Sequence, residues 1–408
     1  MKKKGKVNRA TVINKINKGG LQMIDVESHI KALKCTWVFR LCSDTSATWK
    51  VLPIYWFTQI GNIPLVFTYN VNKSVLGDMI RQVPPFYKEV LKYWYEINKS
   101  SAVILKPQCI GSQVIWGNQF INANSKPLFF NEWIESGIIH ISDLFSNGKF
   151  IKESELLDKL RFKRNWIVQY KIIKNTLPKT WITVMSKSGS RIKESKTRPV
   201  ILKRDYDGKY KDLFSFKNKD FYWFFIRQKS VKSYAPLIWE RISQGETNWT
   251  DLWEMKVQRF IPKKIAQFNY FLLYDKIPHN ANLFKWKLVK SPYCEYCQTK
   301  SKKQTDGARH FIFECTAIVN FWENVTIAIN IILKTNIQLL WRHIIYGYKL
   351  YYKKFNDVNF IISTAAFAVY KAKMMKEKCM DRFLKEELLV VNYVRKSKII
   401  GDFVTFVI

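Results

Sequence analysis

Acidic residues are scarce in this chain. Only 32 Asp and Glu stand against 68 Lys and Arg, a formal net charge of +36. A surplus of that size repels itself and asks for an anionic partner. Nucleic acid is the first candidate, because phosphate neutralisation with counterion release supplies affinity without sequence readout. An anionic membrane surface is the second.

Long apolar runs are also missing. No stretch reaches the roughly 18 apolar residues of a spanning helix, and the longest, Phe360 to Tyr370, runs into Lys371 and Lys373. The chain is therefore expected to be soluble and not membrane-bound. MKKKGKVNRATV carries a basic head with no apolar segment behind it, so it is not a secretory signal. Cysteine is sparse and odd in number, with seven residues, which points to a reducing compartment. The expected location is intracellular, nuclear and cytoplasmic.

Catalytic signatures are equally thin. Two-metal chemistry needs converging carboxylates, and polymerases of the reverse-transcriptase type present adjacent aspartates, yet Asp-Asp does not occur here. Asp205 and Asp207 in KRDYDGKYKD form the nearest pair, in a context where a turn is the commoner explanation. His29, His140, His279 and His343 stand apart from any Ser, Cys or Asp arrangement, and no glycine loop that cradles phosphate is present. No catalytic residue is assigned, and the chain alone is not expected to be an enzyme.

What remains is ample. Hydrophobic residues make up 47% and aromatics 15% of the 408 residues, enough to exclude intrinsic disorder and to fill two or three cores. The patterns predict a mainly α protein of several helical subdomains with a few short strands and, where Cys294, Cys297, His310 and Cys315 cluster, a small zinc-binding loop module. Ile30, Leu33, Trp37 and Leu41 recur at helical spacing and predict a core-facing helix. Val90, Leu91, Trp94 and Ile97 share a second face behind Pro84-Pro85. QVIWGNQFI reads as extended, Ile265, Phe268 and Leu272 as one helix face, and helices are expected at about 317–333 and 358–389.

The most distinctive pattern is YCEYCQTKSKKQTDGARHFIFEC, in which Cys294, Cys297, His310 and Cys315 give C-x2-C-x12-H-x4-C. The first two thiols leave one tight turn, and the His and last Cys close the opposite side. Three sulfurs and one imidazole suit structural Zn2+, with no position open for catalysis. The alternative is ordinary loop thiols beside an incidental surface histidine. Lys300, Lys302, Lys303 and Arg309 accompany Tyr293, Tyr296 and Phe311 here, a mixture suited to phosphates and unpaired bases, the alternative being a solvated charged loop over a packed aromatic base. A second basic stretch, residues 186–211, holds nine Lys or Arg against three acids, among them Lys187, Arg191, Lys193, Lys196 and Arg198. It reads as a mobile basic linker that could also touch nucleic acid.

Several stretches, in order, resemble the carboxy-terminal region of the reverse transcriptase polyprotein of LINE-type (non-LTR) retrotransposons. NKGGLQMIDVESHIKALKCTWVFRL resembles the Gly-Gly-Leu segment and helix near the end of the polymerase thumb. VIWGNQFI, PLFFNEWIESGIIHISDLFSNGKFIKESELLDKL and LPKTW resemble the segments that follow it. DFYWFFIRQK, PLIWERI and NWTDLWEMKV are similar to the helices before the family's Cys/His motif. SPYCEYCQ with RHFIFECTAIVNFW is similar to the motif itself, and IIYGY and AAFAVYKAKMMKEK to the end of the polyprotein.

The resemblance implies contact with element RNA and target DNA, and zinc ligation by Cys294, Cys297, His310 and Cys315. The endonuclease and the palm that carry the family's chemistry are missing, so polymerase activity is expected only if this region is joined to a palm. The Met1 start inside a family-like segment and the weakly patterned GDFVTFVI ending point to a truncated or decayed copy. The expected organisation is a thumb-end-like helical region at 1–100, a helical region with short strands at 101–185 and a basic linker at 186–215. A helical region with the zinc motif (294–315) at 216–345 and a helical tail at 346–408 complete it.

Overall fold

The computed structural model describes residues 7–43, 45–58, 67, 83–99, 102–160, 165–188, 200–204, 207–242, 247–257, 261–297, 303–349, 352 and 355–406. The fold is mainly α, with only short antiparallel strands. Two compact units divide it. One is Asp25–Gln228, and the other joins Met1–Ile24 to Lys229–Ile408. This division cuts across the regions expected from composition, because the first residues of the chain fold with its last 180 or so instead of with the residues that follow them.

In the Asp25–Gln228 unit, helix Val26–Cys42 packs against helix Pro85–Asn98. Asp25 caps the first, its carboxylate accepting from the Ser28 amide at 3.1 Å. The buried face of this helix is Ala32, Cys35, Val38 and Leu41, while Ile30 and Leu33 are exposed. The expected helix is present but turned, because it is apolar on two sides and small residues allow the closest approach to a neighbour. On Pro85–Asn98 the expected face, Val90, Leu91, Trp94 and Ile97, is buried.

A second core in the same unit gathers around Trp116 and Trp133. Their indole N–H groups donate to the Ile138 carbonyl and to Gln169 Oε1, both at 2.7 Å. Phe145–Ser146 and Lys149–Phe150 form a two-residue hairpin. Asn147 and Gly148 supply its left-handed turn, with φ of 48° and 74°.

The basic stretch expected to be a mobile linker is partly a sheet. Val200–Arg204 pairs antiparallel with both Ala102–Ile104 and Tyr210–Asp212, in the register Val103↔Ile201 and Lys203↔Lys211. Lys203 is buried, and its ammonium donates to the carbonyl of Ile97 in the last turn of Pro85–Asn98. A cation there also complements the negative end of the helix dipole. Burial pulls its pKa down to about 8. Lys187 is exposed in the last turn of helix Lys179–Ser188. Arg191, Lys193, Lys196 and Arg198 lie outside the described residues.

In the other unit, the segment before Ile24 docks through Gly19 and Gly20. Gly19 has φ of 80°, its carbonyl accepts from the Tyr274 hydroxyl at 2.7 Å, and a Cβ would come within 2.8 Å of Ser233 and Tyr274. A Cβ on Gly20 would overlap the Asn14 backbone. Only glycine fits this Gly-Gly step.

The core of this unit runs from Trp253, Tyr270 and Tyr274 through helices Lys263–Leu273, Val319–Leu333, Asn356–Met375, Met380–Arg395 and Lys398–Phe406. Ile265, Phe268 and Leu272 are buried as expected. The expected 358–389 helix is interrupted, because Lys376 turns left-handed with φ of 58° and ends Asn356–Met375 in a capping turn. Thr316–Leu333 is long and apolar enough by composition to cross a membrane, with mean hydropathy 1.4, a run the sequence reading overlooked because Asn320, Glu323 and Asn330 punctuate it. Phe321, Trp322, Val325, Ala328 and Ile329 on it are buried in this unit's core.

Candidate metal centre

Two short elements bring the four Cys/His residues together. Pro292 to Cys294 lies antiparallel to Gln304 to Asp306. The Cys294 amide donates to the Gln304 carbonyl and the Asp306 amide to the Pro292 carbonyl, each at 2.9 Å. This ladder closes the loop that holds Cys294 and Cys297. Backbone N–H groups of Tyr296 and Cys297 then point at the Cys294 sulfur.

The second element is a π-helical turn, His310–Glu314, closed by the Cys315 amide donating to the His310 carbonyl at 3.0 Å. In an α-helix of 3.6 residues per turn, positions five apart diverge by about 140°. An i to i+5 bond winds the chain more widely, and His310 and Cys315 reach the same side.

The outcome is a cluster in which one ligand atom from each of Cys294, Cys297, His310 and Cys315 lies within 4.8 Å of the others. Cys315 Sγ is 3.7 Å from both Cys294 Sγ and Cys297 Sγ. That is far beyond a disulfide bond of about 2.05 Å, and all three thiols are free. Cys294, His310 and Cys315 are buried and Cys297 is half-buried. His310 Nε2 is buried and, among the described residues, has no hydrogen-bond partner. An imidazole nitrogen in that position is costly unless something takes its lone pair, and a metal ion would do so. The arrangement can hold a metal ion with four protein ligands.

The electrostatics differ from sulfur to sulfur. Burial pushes the Cys294 thiol up to about 12, against the opposing pull of the Tyr296 and Cys297 amides. Burial raises Cys297 too, but the Thr316 hydroxyl and amide, 3.2 and 3.5 Å from its sulfur, together with the Cys315 and Cys294 thiols outweigh it and leave Cys297 below its ordinary value. His310 is held below the ordinary histidine value, first by burial, with Lys373 adding to the effect and the nearby carboxylates of Asp306 and Glu314 opposing it. The shift favours the neutral imidazole, the form that binds metals.

Of the basic and aromatic residues expected around the cluster, Tyr296 is 53% exposed and available. Lys303 Nζ lies 5.5 Å from the centre of the Tyr293 ring. Arg309 is engaged by Glu314. Phe311 is buried in the core, so it offers no stacking face, because the π-turn that presents His310 directs its neighbour inward. Lys300 and Lys302 lie outside the described residues.

The structure adds residues that sequence reasoning passed over. Asp306 ties the loop to the helix Asn280–Lys285, accepting from the Asn280 amide at 3.1 Å, while Asn280 donates to the Tyr293 carbonyl at 2.9 Å. This helix carries the exposed Phe284 and Lys285, and Lys287, Leu288 and Lys290, between it and Tyr293 in the chain, are exposed as well. Thr316 was detectable as the residue after the last cysteine, whereas nothing local singles out Asp306 or Lys373.

The other histidines serve their own surroundings. His279 Nδ1 accepts from the Asn282 amide at 3.2 Å and its Nε2 meets Asp275 at 3.1 Å. His343 Nδ1 accepts from the Leu340 amide at 3.2 Å, and Asp143 pairs with His140. Compared with known proteins, the chain matches no protein-family model and no curated protein.

Proposed function

We propose that this chain is a nucleic-acid-binding protein built around one structural zinc site, and that it corresponds to the carboxy-terminal part of a LINE-type retrotransposon polyprotein. In this reading it contacts element RNA and target DNA and has no catalysis of its own. The cluster geometry carries the zinc assignment. Four ligands at Zn–S distances near 2.3 Å place tetrahedral sulfurs about 3.8 Å apart, and the observed separations are 3.7 Å. A Cys3His set leaves no open position, which suits a folding role.

Charge carries the nucleic-acid assignment. The net +36 needs an anionic partner. Tyr296 and Lys303 at the cluster, with the exposed Lys285, Lys287 and Lys290 of the segment tied to it through Asn280, offer cations and an exposed ring. Such surfaces hold phosphates and stack on unpaired bases.

The test is binding of a fluorescent single-stranded RNA oligonucleotide to the zinc-loaded full chain at two salt concentrations. With about six phosphate contacts, the single-strand slope of roughly −0.7 per contact predicts a loss of a hundredfold or more between 50 and 200 mM salt. Tyr296→Ala should weaken binding several-fold without changing that slope, since stacking is not ionic. Affinity that ignores salt, or no binding at low salt, would refute the assignment.

A further inference from the structure

We propose that Lys373 is the charge partner of the metal centre, an ammonium placed to neutralise the net anionic complex that Cys294, Cys297, His310 and Cys315 form around a divalent ion. This rests on the zinc reading above. It goes further by assigning a role to a residue nearly sixty positions away.

Three observations meet at this side chain. Lys373 stands in the last turn of helix Asn356–Met375, which packs against the π-turn of His310–Glu314. Its Nζ is buried and, among the described residues, finds no hydrogen-bond acceptor. It sits 4.7 Å from the centre of the Phe311 ring, the residue next to His310, and its charge is felt at His310. A buried ammonium without an acceptor is rare, because desolvation penalises it heavily. A cation–π contact compensates only in part.

The missing compensation follows from charge arithmetic at the site. Three thiolates and a neutral imidazole around a divalent ion sum to −1, the Asp306 carboxylate near His310 adds to that excess while Arg309 and Glu314 offset each other, and the Lys373 ammonium opposes it. Neighbouring Lys371 shows the contrast. It lies over the Phe383 ring and has Glu386 at 3.7 Å, so its charge is answered within the protein.

The proposal predicts opposite effects in the metal-free and metal-loaded chains. Lys373→Met keeps the apolar stem and removes the charge. In the metal-free chain this relieves an unpaired buried cation, so stability should be unchanged or higher. In the loaded chain it leaves the anionic centre unbalanced. The Kd for Zn2+, measured on the full chain by competition with a chelator, should rise about tenfold or more, the usual penalty for losing a residue that supports a metal's ligands. Alkylation of the zinc-loaded chain by iodoacetamide should also become faster, since an uncompensated thiolate centre is the stronger nucleophile. Lys373→Arg should stay close to wild type in both readouts.

If wild type and Lys373→Met hold zinc equally tightly and react equally fast, the charge-partner role is wrong and the zinc site stands. A Lys373→Met chain that no longer folds without metal also overturns it, because the side chain would then be structural. A folded wild type that binds no zinc instead removes the zinc reading, and this inference with it.

Discussion

Lys256 allows a prediction whose size can be worked from the structure. It ends the helix Trp249–Lys256 and is 2% exposed, with its Nζ donating to the Ile344 carbonyl at 2.8 Å and to Ser363 Oγ at 3.0 Å. Both acceptors are neutral, and burial lowers its pKa from 10.5 to about 7. Below pH 7 the folded and unfolded chains both hold the proton, and the cost of the buried charge is present in full. Between about 7 and 10.5 only the unfolded chain binds it, so stability rises with pH across that window. At 1.36 kcal/mol per unit, with half-titration at the lower end, the rise from pH 7 to 9.5 is about 3 kcal/mol.

Lys256→Met removes this dependence while keeping most of the side-chain volume. Denaturant unfolding of wild type and variant should be compared at pH 6.5, 8 and 9.5. The other titrating groups, including the repulsion within a +36 chain, cancel in the difference between the two. The variant should be the more stable at pH 6.5, with the advantage shrinking by about 3 kcal/mol by pH 9.5. Unpartnered acceptors at Ile344 and Ser363 reduce the advantage by a constant amount, not by one that depends on pH. A stability difference that is flat with pH would refute the reasoning.

Three further expectations concern the same unit. Gly20→Ala should cost about 2 kcal/mol or more, because the new Cβ meets the Asn14 backbone, whereas Gly307→Ala, with open space around it, should be nearly neutral in the same thermal melts. Trp253→Ala, which empties the place of a fully buried indole stacked 5.4 Å from Tyr274, should cost about 3–5 kcal/mol in denaturant unfolding. Asp306→Ala removes the carboxylate that accepts from Asn280, so it should cost about 1 kcal/mol as a helix cap. It should also speed amide hydrogen exchange at Ala281, whose amide bonds to the Asp306 carbonyl; unchanged exchange would mean that the loop does not lean on this helix.

The parts of the fold that were legible in the sequence are those decided locally. Cys294 and Cys297 sit three positions apart, and His310 and Cys315 five positions apart. Their convergence needs only a short turn on each side, so spacing alone was enough to group them. Helices with one apolar stripe, such as Lys263–Leu273, were equally plain. Val26–Cys42 was not, because Ile30 and Leu33 compete with Ala32 and Cys35, and the choice of face belongs to the neighbour at Pro85–Asn98.

Pairings across long stretches of chain left no local mark. Val200–Arg204 is dominated by charge at one end and became a central strand because Ala102–Ile104, about a hundred residues earlier, lies beside it. The bases in that stretch looked alike in the sequence, yet Lys203 is buried against a helix end and Arg204 lies over the Tyr210 ring. The role of Lys373 depends on a helix packing against a turn, which spacing cannot express.

The central claim is that this chain is organised around a closed site of three sulfurs and one nitrogen. Zinc K-edge X-ray absorption on the purified full chain, with the zinc-to-protein ratio determined on the same sample, tests it most directly. The account predicts one zinc per chain in a shell of three sulfurs near 2.3 Å and one nitrogen near 2.0 Å, lost in Cys294→Ser with Cys297→Ser. A folded chain without bound metal, or a shell dominated by oxygen, would contradict it.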